Sequence, residues 1–158
     1  MTDEDFCALY ETHARRLWAF VVRASGSATA ADDIVQEAFV RILGARSMDA
    51  AGAEDRRRYL YAIATNLVRR RYRDARDAAA IETVRTPAAF DDRLIVERAL
   101  AALPPIERQT LWLAYVEGWS WREVAAMLGY REGSIRQVAV RARRRFRKVI
   151  AGWHVEDQ

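Results

Sequence analysis

Two stretches of the 158-residue chain concentrate arginine, whose planar guanidinium suits phosphate oxygens and guanine edges. Residues 131–148 hold eight basic side chains against one acid, Glu132. The other stretch carries a second set of arginines, namely Arg56, Arg57, Arg58, Arg69, Arg70, Arg71, Arg73 and Arg76. With a net charge of +4 and a pI of about 9.6, this distribution favours binding of nucleic acid. An arginine bias from a GC-rich genome is the alternative interpretation.

Residues that could carry catalysis or hold a metal are sparse and scattered. Cys7 is the single cysteine, so no internal disulfide can form, and its place beside Phe6 and Tyr10 predicts a buried thiol. The histidines, His13 and His154, lie far apart without ligand-like neighbours. The sequence also lacks a Gly-rich phosphate loop and a nucleophile–base arrangement. We therefore expect no enzyme, no metal and no cofactor.

The stretch from Ser120 to Arg145 predicts a helix-turn-helix. Ser120 and Glu123 have the spacing of a capping box, which marks the start of a helix. Gly129 can adopt the left-handed backbone of a tight turn, and a basic helix follows it. In a helix-turn-helix this second helix enters the major groove of DNA. An ordinary amphipathic helix with a solvated charged face is the alternative.

The basic helix, predicted over about residues 133–151, has two faces. Ile135, Ala139 and Phe146 belong to its inward stripe. Its outward, candidate DNA-binding residues are Ser134, Arg136, Gln137, Val140, Arg141 and Arg144. The first of these lie where such a helix sits deepest in the groove and are expected to read bases. Residues 143, 144, 145 and 147 lie further along and are expected to meet phosphates or water.

The elements that position these residues all show helical periodicity, so we predict an all-α fold of two small helical domains joined by a flexible linker. The domains are residues 1–77 and 91–158, and the Pro-containing linker is residues 78–90. In the second helix, about residues 30–44, the predicted core stripe is Ile34, Val35, Ala38, Phe39 and Ile42. Thr29 and Asp32 are its candidate N-caps. In the third helix, about residues 55–77, Tyr59 is a core candidate.

Several motifs occur together along the chain: "DIVQE" in the second helix, "IATN" in the third, then "LPP", "GWSWREVAAMLG" and "EGS" in the second domain. In this combination, over about residues 5 to 150, the sequence resembles bacterial sigma factors of the extracytoplasmic-function group. The resemblance implies a protein without catalysis of its own. Such a protein binds core RNA polymerase and directs it to promoter DNA.

The resemblance also assigns surfaces. Asp33, Gln36 and Glu37 match the polymerase-binding motif of the family, and their spacing places them on one helical face. A solvated acidic face is the alternative. The third helix and the loop before it resemble the reader of the −10 promoter element, with Asn66 on the family's asparagine and Arg69, Arg70 and Arg73 near single-strand phosphates. For Asn66 the alternative is a local backbone hydrogen bond.

Two departures from the family pattern bear on promoter choice. Arg70 stands where the family usually has an acid, and Gln137 and Val138 replace a common serine and a common arginine. Val138 is expected to pack inward instead. The resemblance therefore implies promoter binding without defining the −10 and −35 sequences.

The resemblance further implies a cognate anti-sigma factor as a partner. No apolar run approaches the roughly 20 residues of a membrane span, and the acidic N-terminus lacks a secretion signal, so we expect a cytoplasmic protein without membrane insertion. Two other hypotheses remain open. One is a self-sufficient helix-turn-helix regulator. The other is a sigma-like decoy that binds a regulatory protein instead of DNA.

Overall fold

The computed structural model describes residues 1–78 and 92–156. Apart from its first residue, Ala78, the predicted linker of residues 78–90 lies outside the described residues. The regular elements in the described part are all helical, which confirms the predicted all-α class. The chain divides into two compact units, Met1–Val84 and Arg85–Gln158. Each unit is described below by itself.

The first unit is a bundle of three mutually packed helices. They are α1 (Asp3–Ser25), α2 (Ala28–Leu43) and α3 (Ala53–Ala78), with a short 3₁₀ turn at Arg46–Met48 between the last two. Thr2 and Asp5 form a capping box at the start of α1, and Gly26 ends that helix with a left-handed φ of 72°. Both signals are local, so α1 begins and ends where its sequence dictates.

The core of this unit is formed by one stripe from each helix. The predicted stripe of α2 is confirmed, since all five of its members are buried. It packs against the buried residues of the other two helices, which include Leu17, Phe20, Val21, Leu60, Tyr61, Ala64 and Val68. Burial of this stripe leaves the opposite face of α2 in solvent.

Two core assignments were wrong. Cys7 is exposed, because one step along a helix turns a side chain about 100° away from its neighbour Phe6. Tyr59 is 37% exposed, and Tyr61 is fully buried in its place. Tyr61 lies three residues before Ala64, so it shares the buried face of α3.

The cap of α2 also differs from the prediction. The helix begins at Ala28, and Ser27 caps it by accepting a hydrogen bond from the backbone N–H of Ala30 at 3.2 Å. Thr29 lies inside the first turn of the helix and therefore cannot be its N-cap. Asp32 instead accepts a hydrogen bond from the indole N–H of Trp18 at 2.7 Å, which joins α2 to α1.

The second unit is organised around its last helix. It comprises α4 (Asp92–Ala101), α5 (Pro105–Leu111) with a π-helical continuation (Trp112–Val116), α6 (Trp121–Leu128) and α7 (Glu132–Glu156). The last helix packs against α4, α5 and α6. Leu100, Leu103, Leu111 and Ala142 form one buried cluster, flanked by Trp112 and Phe146. The inward face of α7 is therefore occupied by the core.

Candidate interaction surfaces

The outer face of α2 carries the predicted polymerase-binding residues. Asp33, Gln36 and Glu37 are all exposed, opposite the buried stripe of the same helix. The carboxylate of Glu37 accepts a hydrogen bond from Nε of Arg41 at 2.9 Å, one turn further on. Positions 33, 36 and 37 form one acidic and amide-bearing patch, so the structure brings all three together.

Two apolar residues that the sequence reasoning missed extend this patch. Val40 is 63% exposed and Leu43 is 53% exposed, at the positions where the face of Gln36 and Glu37 continues. A groove of about 610 Å³ runs beside them between α1 and α2. Its lining includes Phe6, Tyr10, Trp18, Gln36, Phe39, Val40 and Leu43. The available signal was that both aliphatic residues fall outside the buried stripe of α2.

The second half of α3 gathers the predicted −10 residues on one face. Asn66, Arg69, Arg70 and Arg73 follow the i, i+3, i+4, i+7 spacing and are all exposed. Within residues 1–78 and 92–156, the Asn66 side chain makes no hydrogen bond, so the local backbone bond considered for it is not formed. On the inner side, the hydroxyl of Tyr72 donates to the carbonyl of Ala24 at 2.5 Å, which ties this half of α3 to α1.

The arginines at the start of α3 do not join that face. Arg56 is only 8% exposed, so it is not part of a basic surface as its place in the arginine cluster suggested. Arg57 forms an ion pair with Glu54 at 3.2 Å, and Arg58 forms one with Asp55 at 3.3 Å. In the arginine set of residues 56–76, Arg56 is therefore buried, Arg57 and Arg58 pair with acids on their own helix, and Arg69, Arg70 and Arg73 form the exposed face.

The turn of the predicted helix-turn-helix has the expected local geometry. The Ser120 hydroxyl accepts from the N–H of Glu123 at 3.2 Å, and the Glu123 carboxylate accepts from the N–H of Ser120 at 2.9 Å. Gly129 adopts the left-handed conformation, with φ of 74°, at the end of α6. Three residues separate α6 from α7, as the short turn of the motif requires.

The outward face of α7 agrees with the prediction, because all six of its candidate residues are exposed. Val138 is 5% exposed and packs inward, as expected from its departure from the family pattern. One partner was missed in the sequence. Glu132, one turn before Arg136, forms an ion pair with it at 2.8 Å.

The later arginines of α7 separate into two groups. Arg143 donates to the hydroxyl of Tyr115 at 2.7 Å. Arg145 lies 3.5 Å from the carboxylate of Glu107, which is only 3% exposed. Both side chains reach toward α5 and its π-helical continuation, whereas Arg144 and Arg147 are exposed at positions in line with Val140. Of the four arginines that were expected to meet phosphates or water, Arg144 and Arg147 therefore remain the candidates for phosphate contact.

Among the side chains of the described residues, no cluster of His, Cys, Asp or Glu is arranged to hold a metal ion. No helix in that part of the chain has the length and apolar character to span a membrane.

Comparison with known proteins gives two adjoining family matches. Residues 9–78 match the family described as Sigma-70 region 2, and residues 93–146 match the family described as Sigma-70, region 4. The extracytoplasmic-function (ECF) RNA polymerase sigma factor SigL of Mycobacterium tuberculosis is 32% identical over 87% of this chain and 85% of its own length. The RNA polymerase sigma factor CarQ of Myxococcus xanthus is 32% identical over 94% of this chain and 90% of its own length.

Solved structures share the fold. The sigma factor RpoE of Bartonella quintana, solved with the anti-sigma factor NepR, has a TM-score of 0.74 at 24% identity and covers 94% of this chain and 98% of its own. CnrH, solved with the cytosolic domain of CnrY, has a TM-score of 0.67 at 26% identity and covers 93% of this chain and 88% of its own. These likenesses agree with the all-helical architecture described above.

Proposed function

The chain belongs to the extracytoplasmic-function group of RNA polymerase sigma factors, and on that premise we propose a task for each exposed surface. It is an alternative sigma factor, which binds core RNA polymerase and directs promoter recognition and transcription initiation. The leading sequence-based hypothesis is thereby confirmed. The observation that carries the assignment of tasks is that each predicted residue set emerges on a solvent-exposed face of a separate helix, α2, α3 or α7.

The outer face of α2 is the docking surface for core polymerase. Asp33 and Glu37 supply charge that steers association, and the amide of Gln36 supplies directional hydrogen bonds. Val40 and Leu43 supply apolar area that a partner can bury, and the groove beside them can accept a projecting side chain. A charged patch beside an apolar groove is the composition expected of a specific protein interface.

A charge reversal tests this surface. The double variant Asp33→Arg/Glu37→Arg should lose co-purification with core polymerase, because like charges facing a complementary partner cost several kcal/mol. Its melting temperature should stay near that of the parent, since the Glu37–Arg41 pair is exposed and worth about 0.3–0.5 kcal/mol. The matched control is Glu54→Arg/Asp55→Arg, which reverses two exposed, ion-paired acids on α3. Retained polymerase binding by the first variant would overturn the assignment.

The exposed face of α3 binds the −10 element. The Asn66 amide can pair with the edge of an unstacked base, and Arg69, Arg70 and Arg73 can hold the phosphates that flank it. The outward face of α7 binds the −35 element in the major groove, with Arg136 and Gln137 nearest the bases. These two contacts divide promoter recognition between the two units.

The remaining tasks concern partners and place of action. RpoE of Bartonella quintana is a sigma factor solved in complex with the anti-sigma factor NepR, and this chain is proposed to have such a regulatory partner. It is further proposed to contribute no catalytic step of its own, since polymerase performs the chemistry. Its place of action is the cytoplasm, where the polymerase and the promoters are.

A further inference from the structure

Arg56, in the first turns of α3, is a buried cation held by three acceptors. Its Nε donates to the carbonyl of Met48 at 3.1 Å, and one terminal nitrogen donates to the carbonyl of Asp49 at 3.1 Å. The other terminal nitrogen lies 3.1 Å from Oδ1 of Asp5, at the start of α1. The guanidinium thus joins three separate parts of the first unit.

Two of these acceptors belong to the segment between α2 and α3, residues 44–52, here called the interhelical segment. Its own backbone hydrogen bonds are short-range turns, such as Met48 N–H to Ala45 at 2.9 Å and Ala51 N–H to Met48 at 3.3 Å. Bonds of this kind set local curvature and do not tie a segment to the helices around it. Arg56 supplies one such tie, because its side chain comes from the following helix, and the Met1 ammonium supplies another by pairing with the Asp49 carboxylate at 2.5 Å.

The geometry of the guanidinium makes this connection specific. A buried charge is costly unless its donors are satisfied, and the planar fork of arginine can satisfy several acceptors in fixed directions at once. Lysine, with one ammonium group on a flexible stem, cannot span the Met48 carbonyl, the Asp49 carbonyl and the Asp5 carboxylate together. The fork therefore links the interhelical segment to the first turns of α3 and to the start of α1.

We propose that Arg56 is a positioning residue for recognition of the −10 element, because it holds the interhelical segment in register with the base-binding face of α3. This inference rests on the proposed function of that face. Asn66 lies ten residues further along α3, or about 15 Å along the helix axis. A single strand that binds at Asn66 can therefore reach the exposed interhelical segment within a few nucleotides.

The test uses holoenzyme assembled from core polymerase and the full chain carrying Arg56→Lys. Binding is measured to a library of single-stranded −10 sequences and, in parallel, to duplex −35 variants. The variant should lower the −10 sequence preference about tenfold, because small misplacements of binding groups carry large costs. Preference at −35 and retention of core polymerase should stay at the parental level. An unchanged −10 preference with only a lower melting temperature would mean that Arg56 merely stabilises the bundle.

Asp5→Asn provides a second route should Arg56→Lys fail to fold. This substitution removes the negative charge of the Asp5 side chain that pairs with the guanidinium, and it leaves both carbonyl contacts of Arg56 in place. It should therefore shift the −10 preference in the same direction by a smaller factor. Parental preference in this variant would contradict the proposal.

Asn66→Ala separates a failure of the proposed function of α3 from a failure of the proposed role of Arg56. If Asn66→Ala leaves −10 binding intact, the proposed function of α3 fails, whereas a loss there with a neutral Arg56→Lys overturns only the role of Arg56.

Discussion

At the scale of single residues, the start of α7 shows how a candidate base-reading side chain is kept in place before DNA arrives. Arg136 is exposed and pairs with Glu132 one turn earlier. An exposed pair of this kind contributes only about 0.3–0.5 kcal/mol, so a guanine edge or a phosphate can displace the acid at little cost. Glu132 thereby limits the rotamers of Arg136 without preventing its contact with DNA.

The base-reading role of this end of α7 predicts a change in sequence preference. Arg136→Ala or Gln137→Ala should cost about 1–3 kcal/mol on the preferred promoter and relax preference at one or two −35 positions. The measurement is holoenzyme binding to a library of −35 variants at two salt concentrations. Arg147→Ala is the control, since this exposed arginine lies further along α7 and should weaken binding to all sequences alike. If the first two variants lose only uniform affinity, α7 is an electrostatic anchor without base readout.

Arg147 and Arg145 predict opposite outcomes although they lie two residues apart. Arg147 is exposed, and Arg147→Ala should weaken all promoters alike and lower the salt slope by about one. Arg145 pairs with the buried Glu107, and Arg145→Ala should instead destabilise the second unit by about 1–3 kcal/mol. Salt-dependent binding and chemical denaturation, run on both variants, separate the effects. Equal salt slopes for the two variants would refute this division of the arginines.

At the scale of elements, the helix ends that carry local signals were predictable and the long-range contacts were not. The Ser120–Glu123 box and the Gly129 turn lie where the sequence places them, because a cap depends on residues three positions apart. The burial of Arg56 depends on Asp5, fifty-one positions away, and no local pattern reveals such a contact. The π-helical turn at Trp112–Val116 likewise has no signal in a sequence with ordinary helical periodicity.

The capping box of α1 gives a prediction for pH. The backbone N–H of Thr2, then the Thr2 hydroxyl and the Arg56 guanidinium, hold the pKa of Asp5 below its ordinary value. An acid whose pKa is depressed in the folded state stabilises the fold above its unfolded pKa. That stabilisation is lost as the pH falls through the folded pKa, hence below about pH 4. Thermal unfolding of Asp5→Asn between pH 7 and pH 3 should show a weaker pH dependence than the parent. An identical dependence would contradict this account.

The sequence predicted the polar part of the candidate surface on α2 and missed its apolar part. Asp33, Gln36 and Glu37 lie on the predicted face, because burial of the α2 stripe forces the opposite side outward. Val40 and Leu43 escaped notice since apolar residues are normally assigned to the core. Both fall outside the predicted core stripe of α2, and that was the signal in the sequence that placed them on its outer face.

At the scale of the whole molecule, each unit has its own core, and the proposed promoter contacts are divided between them. The first unit carries the proposed polymerase and −10 surfaces on α2 and α3, and the second carries the proposed −35 surface on α7. Each of the three proposed surfaces is made of residues from a single helix of one unit. The connection between the units should therefore act on affinity through effective concentration and leave the separate surfaces intact.

This independence predicts the behaviour of the separated units. Residues 1–77 and 91–158, produced as fragments, should each unfold cooperatively, and only the first should co-purify with core polymerase. Thirteen residues, the length of the predicted linker, reach about 43 Å when extended, which exceeds the roughly 35 Å of one DNA turn. A protease site placed within residues 78–90 then allows the covalent link to be cut in assembled holoenzyme. Cutting should lower promoter affinity by about 10²–10⁴-fold, because the −35 contact loses its tether. Protease-treated parent without the site is the control, and parental affinity after complete cleavage would show that the units hold together without the linker.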